Sequence, residues 1–340
     1  MISARLESIF DLLVAPFDEA PERPVYAALP IPGYRSYLMG KDCDGHACLL
    51  IATAGAEGRL TPPIRLEKLD VQFALKCHLK RGTEAEQAGI FTAVRCRTLD
   101  RETVRYFLSV CDAIIGMMGD GPALRDVSTA VHRVAAIFQK IQNLPARTLN
   151  GLFGELYVIC QSASPATALA AWRVDETARF DFSLGNLRLD VKTASGRVRA
   201  HGFSYEQCNP PPGTVAVVAS MFVERVSIGL TLRVLLEQIE ESASTFPDLI
   251  MKLHEVVAAT LGTSLGEALG IAIDPKLAES SLRFYSLAEI PGIRSPLPIG
   301  VSDVHFRSDI SACAALSPQA LLDRDLSFEE FLPRGMRDMG

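Results

Sequence analysis

The 340-residue sequence contains no apolar run long enough to cross a bilayer. It also has no internal repeat, no low-complexity segment and no glycine-rich phosphate loop. These absences exclude a helical membrane span, a solenoid and a P-loop nucleotide site. Its eight cysteines are scattered without framework spacing, which points to reduced thiols rather than a disulfide scaffold. The stretch Met1-Ile2-Ser3-Ala4-Arg5-Leu6-Glu7 has neither the basic start nor the apolar core of a signal peptide. The expected compartment is the cytoplasm, with no membrane contact. Positive charge is also in short supply: the formal net charge of −6 argues against a protein that coats nucleic acid indiscriminately.

What is present is an ordinary globular composition, 48% hydrophobic and 22% charged, over a length that suits two modest domains or one large one. A short amphipathic helix is expected over Met1 to Ala15, with Leu6, Ile9, Phe10 and Leu13 at helical spacing. From Pro24 to Leu99 come β-rich runs broken by Pro, Gly and Asp: residues 25–29, 34–39, 47–52, 70–79 and 89–97. They predict a small antiparallel β domain. Helices follow over Arg101 to Met118 and Ala123 to Gln142. The expected division is a β-rich N-terminal domain with a helical connector over residues 1–120 and a second domain over 121–340. Cys43, His46 and Cys48, with Cys77 and His78, lack the paired CxxC of a structural zinc site. They read as ordinary strand and turn positions.

A third helix begins near Thr148. Leu152, Glu155, Leu156 and Ile159 share one of its faces, so Glu155 stands in an apolar stripe. A lone buried carboxylate is costly unless paired or metal-bound, and Glu155 is expected to have a partner. Gly151 and Gly154 would let this helix approach a sheet closely. Farther on, Thr214 to Val223 reads as a buried central strand, with later helices over residues 230–242 and 245–261 and strands over 281–287 and 300–307.

Between these lies Arg179 to Thr193, which reads as a β-hairpin with Phe180, Asp181 and Phe182 on one strand and a turn over Ser183 to Asn186. Gly185 is free to take φ > 0 there. The second strand alternates: Leu187, Leu189 and Val191 to one face, Arg188, Asp190 and Lys192 to the other. Asp190 and Lys192 therefore project side by side, and Asp181 reaches the same space. Such a set suits a hard divalent cation next to a phosphate. An Asp-x-Lys triplet alone is equally at home as an exposed ion pair worth roughly 0–1 kcal/mol. From Arg188 to His201 the chain also carries Lys192, Arg197 and Arg199 against Asp190 alone, so the candidate site is locally basic.

Asp181, Asp190-Val191-Lys192 and the upstream Glu155 resemble the PD-(D/E)XK nuclease superfamily, and most closely a bacterial branch associated with restriction and phage-defence loci. Phe180 stands where the motif has proline. The resemblance covers about Asn150 to Gln207 and implies an α/β (α+β) restriction-endonuclease-like core, a central mixed sheet flanked by helices. It implies a Mg²⁺ (or Mn²⁺) ion held by Asp181, Asp190 and the Val191 carbonyl, with Glu155 as a further metal carboxylate. Lys192 would stand beside the attacking water and the phosphate. Arg188, Arg197, Arg199 and Gln207 are the expected substrate contacts. The expected function is Mg²⁺-dependent hydrolysis of DNA by an endonuclease of a defence system, working with helicase or methyltransferase subunits, and a homodimer if both strands are cut. Two alternatives remain: an inactive module of the same fold serving DNA binding or assembly, and an unrelated α/β enzyme for a small phosphorylated compound.

Overall fold

In the computed structural model, the described residues are 3–17, 23–52, 61–80, 87–145, 148–174 and 179–333. The chain divides into two compact units. One comprises Met1–Ala146 and Ser244–Leu269, the other Arg147–Ala243 and Gly270–Gly340.

The first unit starts with helix α1 (Ser3–Leu12), followed by strands β1 (Val25–Pro30), β2 (Tyr37–Lys41), β3 (Ala47–Ile51), β4 (Ile64–Arg65), β5 (Leu69–Lys80) and β6 (Gln87–Cys96). Their order is β1-β2-β3-β6-β5-β4. The expected antiparallel pattern holds for every neighbour pair in that order. One pairing is different: β1 also lies parallel to β5, Val25 opposite His78, so five strands form a closed ring. Tyr26, Ala28, Leu38, Cys48, Leu50, Cys77, Leu79 and Ala93 form one buried cluster of this sheet. In β5 the register shifts between Gln72 and Leu75, and Ala74 takes φ 49°, a bulge that bends the strand.

Helices α2 (Arg101–Met118) and α3 (Leu124–Lys140) complete this unit with a helix from far along the chain, Pro247–Leu261. Asp100 caps α2 by accepting from the Thr103 N–H. The Phe107 and Phe138 rings meet at 6.0 Å, and the Tyr106 hydroxyl donates to the His254 carbonyl at 2.7 Å. The boundary expected at residue 120 is thus displaced. Helix α3 and residues 244–269 both belong with the β-rich unit, because their apolar faces are completed there.

In the second unit come α4 (Leu149–Gln161), α5 (Pro165–Ala171), β7 (Phe182–Leu184), β8 (Leu187–Ala194), β9 (Ala200–Ser204), α6 (Tyr205–Cys208), β10 (Val215–Phe222), β11 (Arg225–Thr231) and α7 (Leu232–Ser242). Short strands β12 (Ala272–Ile273), β13 (Arg283–Ser286) and β14 (His305–Asp309) follow. The main sheet has the order β13-β10-β8-β7. β8 and β10 are parallel and the other pairs antiparallel, so the sheet is mixed. β10 is buried along most of its length, as its β-branched run predicts. The stretch from Ala200 divides into strand β9, paired with β14, and the single turn α6. Strand β11 pairs with β12 and has no counterpart among the sequence-based expectations.

Helix α4 is capped by Thr148, which accepts from the Gly151 N–H. A β-carbon at Gly154 would sit 2.5 Å from Thr193 Cγ2 and 3.1 Å from Val191 Cγ1. Gly154 therefore permits the close approach of α4 to β8. Gly151 has no such role: a β-carbon there would meet only the Thr148 hydroxyl, at 3.2 Å.

Candidate active site

The hairpin is tighter than the residue types suggest. Ser183 and Leu184 belong to β7, the turn is Gly185-Asn186, and Gly185 takes φ 54°. Phe182 stands opposite Leu189, and Asp181 lies just before the strand. Its carboxylate accepts the Val191 N–H at 2.8 Å. Asp181 thus lies against β8 beside Asp190. A strand residue directs its N–H and C=O to the same side, so the Val191 carbonyl leaves β8 toward the Asp181 side too.

Asp190 is 2% exposed, too buried to be a solvated surface acid. Lys192 Nζ lies 2.9 Å from Asp190 Oδ2, as their shared face requires, and Gln207 Nε2 donates to Asp190 Oδ1 at 2.8 Å. Gln207 is fixed by a capping box: its Oε1 accepts the Ser204 N–H while its own N–H donates to Ser204 Oγ. The spacing Ser204-x-x-Gln207 is the sequence signal for that turn. Lys192 Nζ also sits 5.5 Å from the Phe203 ring centre. Burial alone would lower the lysine's pKa; Asp190, then Asp181 and Glu155, outweigh it and raise the value above the usual range. The ammonium form is held.

Glu155 is buried as its stripe predicts, at 3% exposure, but its partner comes from elsewhere. The Trp172 indole N–H donates to Oε2 at 2.6 Å. Arg173 forks onto both oxygens, Nε to Oε2 at 2.9 Å and Nη2 to Oε1 at 2.8 Å. Burial, with Asp181 nearby, pushes the Glu155 pKa up to about 7, while Arg173 and Trp172 pull it down. Neither Trp172 nor Arg173 stands out in the sequence, because nothing local links them to a residue 17 or 18 positions upstream.

The three arginines expected to contact substrate are not gathered at the carboxylates. Arg188 Nη1 donates to the carbonyls of Gly185 and Leu187 and so straps the hairpin turn. Arg197 is exposed and lies 3.5 Å from Glu224. Arg199 is a correction to the expected phosphate contacts. It is 8% exposed and donates to the Ser220 carbonyl and hydroxyl at 2.7 Å and to the Ser281 carbonyl. Ser220 Oγ also meets His201 Nε2 at 2.8 Å.

A family described as "Putative PD-(D/E)XK family member, (DUF4420)" matches residues 17–311. The chain belongs to this family. No curated protein and no solved structure matches it. The PD-(D/E)XK assignment agrees with the second unit, whose mixed sheet with flanking helices is a restriction-endonuclease-like core. Members of such a family typically use divalent metals, and the donors around Val191 are hard oxygens that suit Mg²⁺ or Mn²⁺. Glu155 does not complete a three-acid cluster with Asp181 and Asp190. Among the described residues, only Asp42, Asp44 and His46 bring three such ligand atoms within 4.8 Å of one another. That group is a turn between β2 and β3, where Asp42 accepts the N–H groups of Asp44 and His46 and pairs with Arg95 at 3.2 Å. Of the cysteines and histidines considered for zinc, His46 alone belongs to such a group among the described residues. No described helix is long and apolar enough to cross a membrane.

Proposed function

We propose that this PD-(D/E)XK family member is a Mg²⁺-dependent DNA endonuclease. The observation that carries the reading is the 2.9 Å pair of Lys192 with the buried Asp190, beside a carboxylate, Asp181, already turned to the same strand position. Asp181, Asp190 and the Val191 carbonyl would hold the ion, which when bound lowers the pKa of a water and polarises the phosphate. Lys192 supplies a fixed positive charge to the phosphate and orients the attacking water, without needing to lose its proton. Gln207 holds the Asp190 carboxylate in register. A groove of about 320 Å³ opens along the β8 to β9 connection, lined by Thr193, Ser195, Arg197 and Arg307 among others. It follows Lys192 directly and suits the flanking phosphates. The resemblance to defence-locus nucleases supports a cytoplasmic role in restriction or phage defence, alongside helicase or methyltransferase subunits.

Supercoiled plasmid incubated with the full chain should be nicked or linearised with Mg²⁺ or Mn²⁺ and remain intact with a chelator. Asp190→Asn and Lys192→Ala should each lower the rate by at least about a hundredfold in a chain that still melts cooperatively. Cleavage surviving both substitutions sinks the reading. One observation favours the inactive module instead: Asp190 is already engaged by Gln207 and Lys192. DNA binding without cleavage in either metal would decide for it.

A further inference from the structure

Arg173 has an unusual backbone. Its φ is 40°, in the left-handed region where a side chain is disfavoured and glycine is the usual occupant. Two bonds are made from that conformation. The Arg173 N–H donates to the Asp181 carbonyl at 2.7 Å, and the guanidinium forks onto both oxygens of Glu155. The preceding residue, Trp172, is fully buried and adds its indole N–H to Oε2. Glu155 is thus bound by three donors from two consecutive residues, next to the start of the strand that presents Asp181. A planar guanidinium in this bidentate arrangement makes one of the strong charge-assisted hydrogen-bond pairs open to a carboxylate. Any ion recruiting Glu155 must first break it.

We propose that Arg173 is a positioning residue which, with Trp172, holds Glu155 away from the divalent cation, so that Asp181 and Asp190 are the acids that meet the ion. This rests on the reading of the site as a metal centre. It replaces the three-carboxylate arrangement implied by the family resemblance with a two-carboxylate one, and it explains why Glu155 is not drawn into a cluster with the other two. Without Arg173, the Glu155 charge is offset by the Trp172 N–H and by the field of Lys192, which leaves it open to an ion beside Asp181. The clamp therefore lowers the affinity for the ion.

The test is Ca²⁺ binding by the full chain, followed by calorimetry and by the emission of Trp172, the single tryptophan of the sequence. Arg173→Gly removes the fork, retains the backbone N–H and suits the positive φ. It should bind Ca²⁺ about tenfold more tightly than the unsubstituted chain, a charge effect at close range. That gain should vanish when Glu155→Gln is added, and Trp172 emission should respond to Ca²⁺ only when the clamp is absent. If Arg173→Gly does not fold, Arg173→Lys, which keeps the charge but loses the fork, should show a smaller gain of the same kind. Equal or weaker binding in the variants, or a gain that persists with Glu155→Gln, overturns the inference while leaving the metal reading intact. Absence of Ca²⁺ uptake in every form overturns both.

Discussion

At the scale of single residues, the second unit contains a polar network behind Lys192 that is tied to pH. Ser220 Oγ accepts from Arg199 Nη1 and also lies 2.8 Å from His201 Nε2. Burial, then the charges of Lys192, Arg199 and Arg307, push the His201 pKa down to about 4, with Asp309 opposing. Between that value and the ordinary 6.5, the unfolded chain binds a proton that the native chain does not. Stability therefore rises with pH across this window and is lost as pH falls through it. Urea unfolding between pH 7 and pH 4 (roughly the span of that titration) should show the acid loss, and His201→Gln should flatten it. An unchanged slope in the variant would remove His201 as the cause. At this scale much of the candidate site was legible. Asp190 and Lys192 lie on one strand, where alternation alone decides their shared face, and the tight hairpin brings Asp181 beside them. Arg199 was not: a basic residue after a strand reads as solvated, and only β10 and Ser281 close over it.

At the scale of elements, the contact between α4 and β8 sets where Glu155 stands relative to the hairpin. Gly154 permits it, since a β-carbon there would collide with the Thr193 methyl at 2.5 Å. Alanine is the better helix former by about 1 kcal/mol, yet Gly154→Ala should destabilise the chain by about 1–3 kcal/mol through overpacking, read as a lower denaturation midpoint. Thr193→Ser, which removes the colliding methyl, should recover part of the loss in the double variant. A Gly154→Ala chain as stable as the parent would show that the helix can slide on the sheet without cost. The long helices were legible from periodicity, because a buried face of a dozen residues writes a strong pattern, and β10 from its nearly unbroken run of apolar, often β-branched residues. Strands β9 and β11 were not. β9 carries one large apolar residue, Phe203, and depends on β14, about a hundred residues later. β11 alternates over Val226, Ile228 and Leu230 but is largely exposed, so its pattern marks no buried face.

At the scale of the molecule, the first unit is discontinuous in sequence. Helix Pro247–Leu261 brings buried Met251, Leu253, Val257, Ala258 and Leu261 to helices α2 and α3, and Arg133 binds it through Asp248 at 2.8 Å and Glu255 at 3.1 Å. Residues 1–146 expressed alone should therefore aggregate or show noncooperative melting, and supplying residues 244–269 through a flexible linker should restore a cooperative transition. Cooperative melting of 1–146 by itself, monitored by circular dichroism, would contradict this. The expected boundary at 120 missed the arrangement because amphipathic helices carry no address. Their stripes say that a face is buried, and leave open in which core.

The amino-acid order by itself determined the hairpin, the pairing of Asp190 with Lys192 on one face and the burial of Glu155, all of which follow from periodicities of two and 3.6 residues acting over short separations. Tertiary structure alone decided what Glu155 binds, that Arg199 turns inward, and which unit claims the helix after residue 246. These depend on groups brought together across tens of residues, where the outcome is set by which buried polar or apolar surface finds its complement, and no local spacing records that choice.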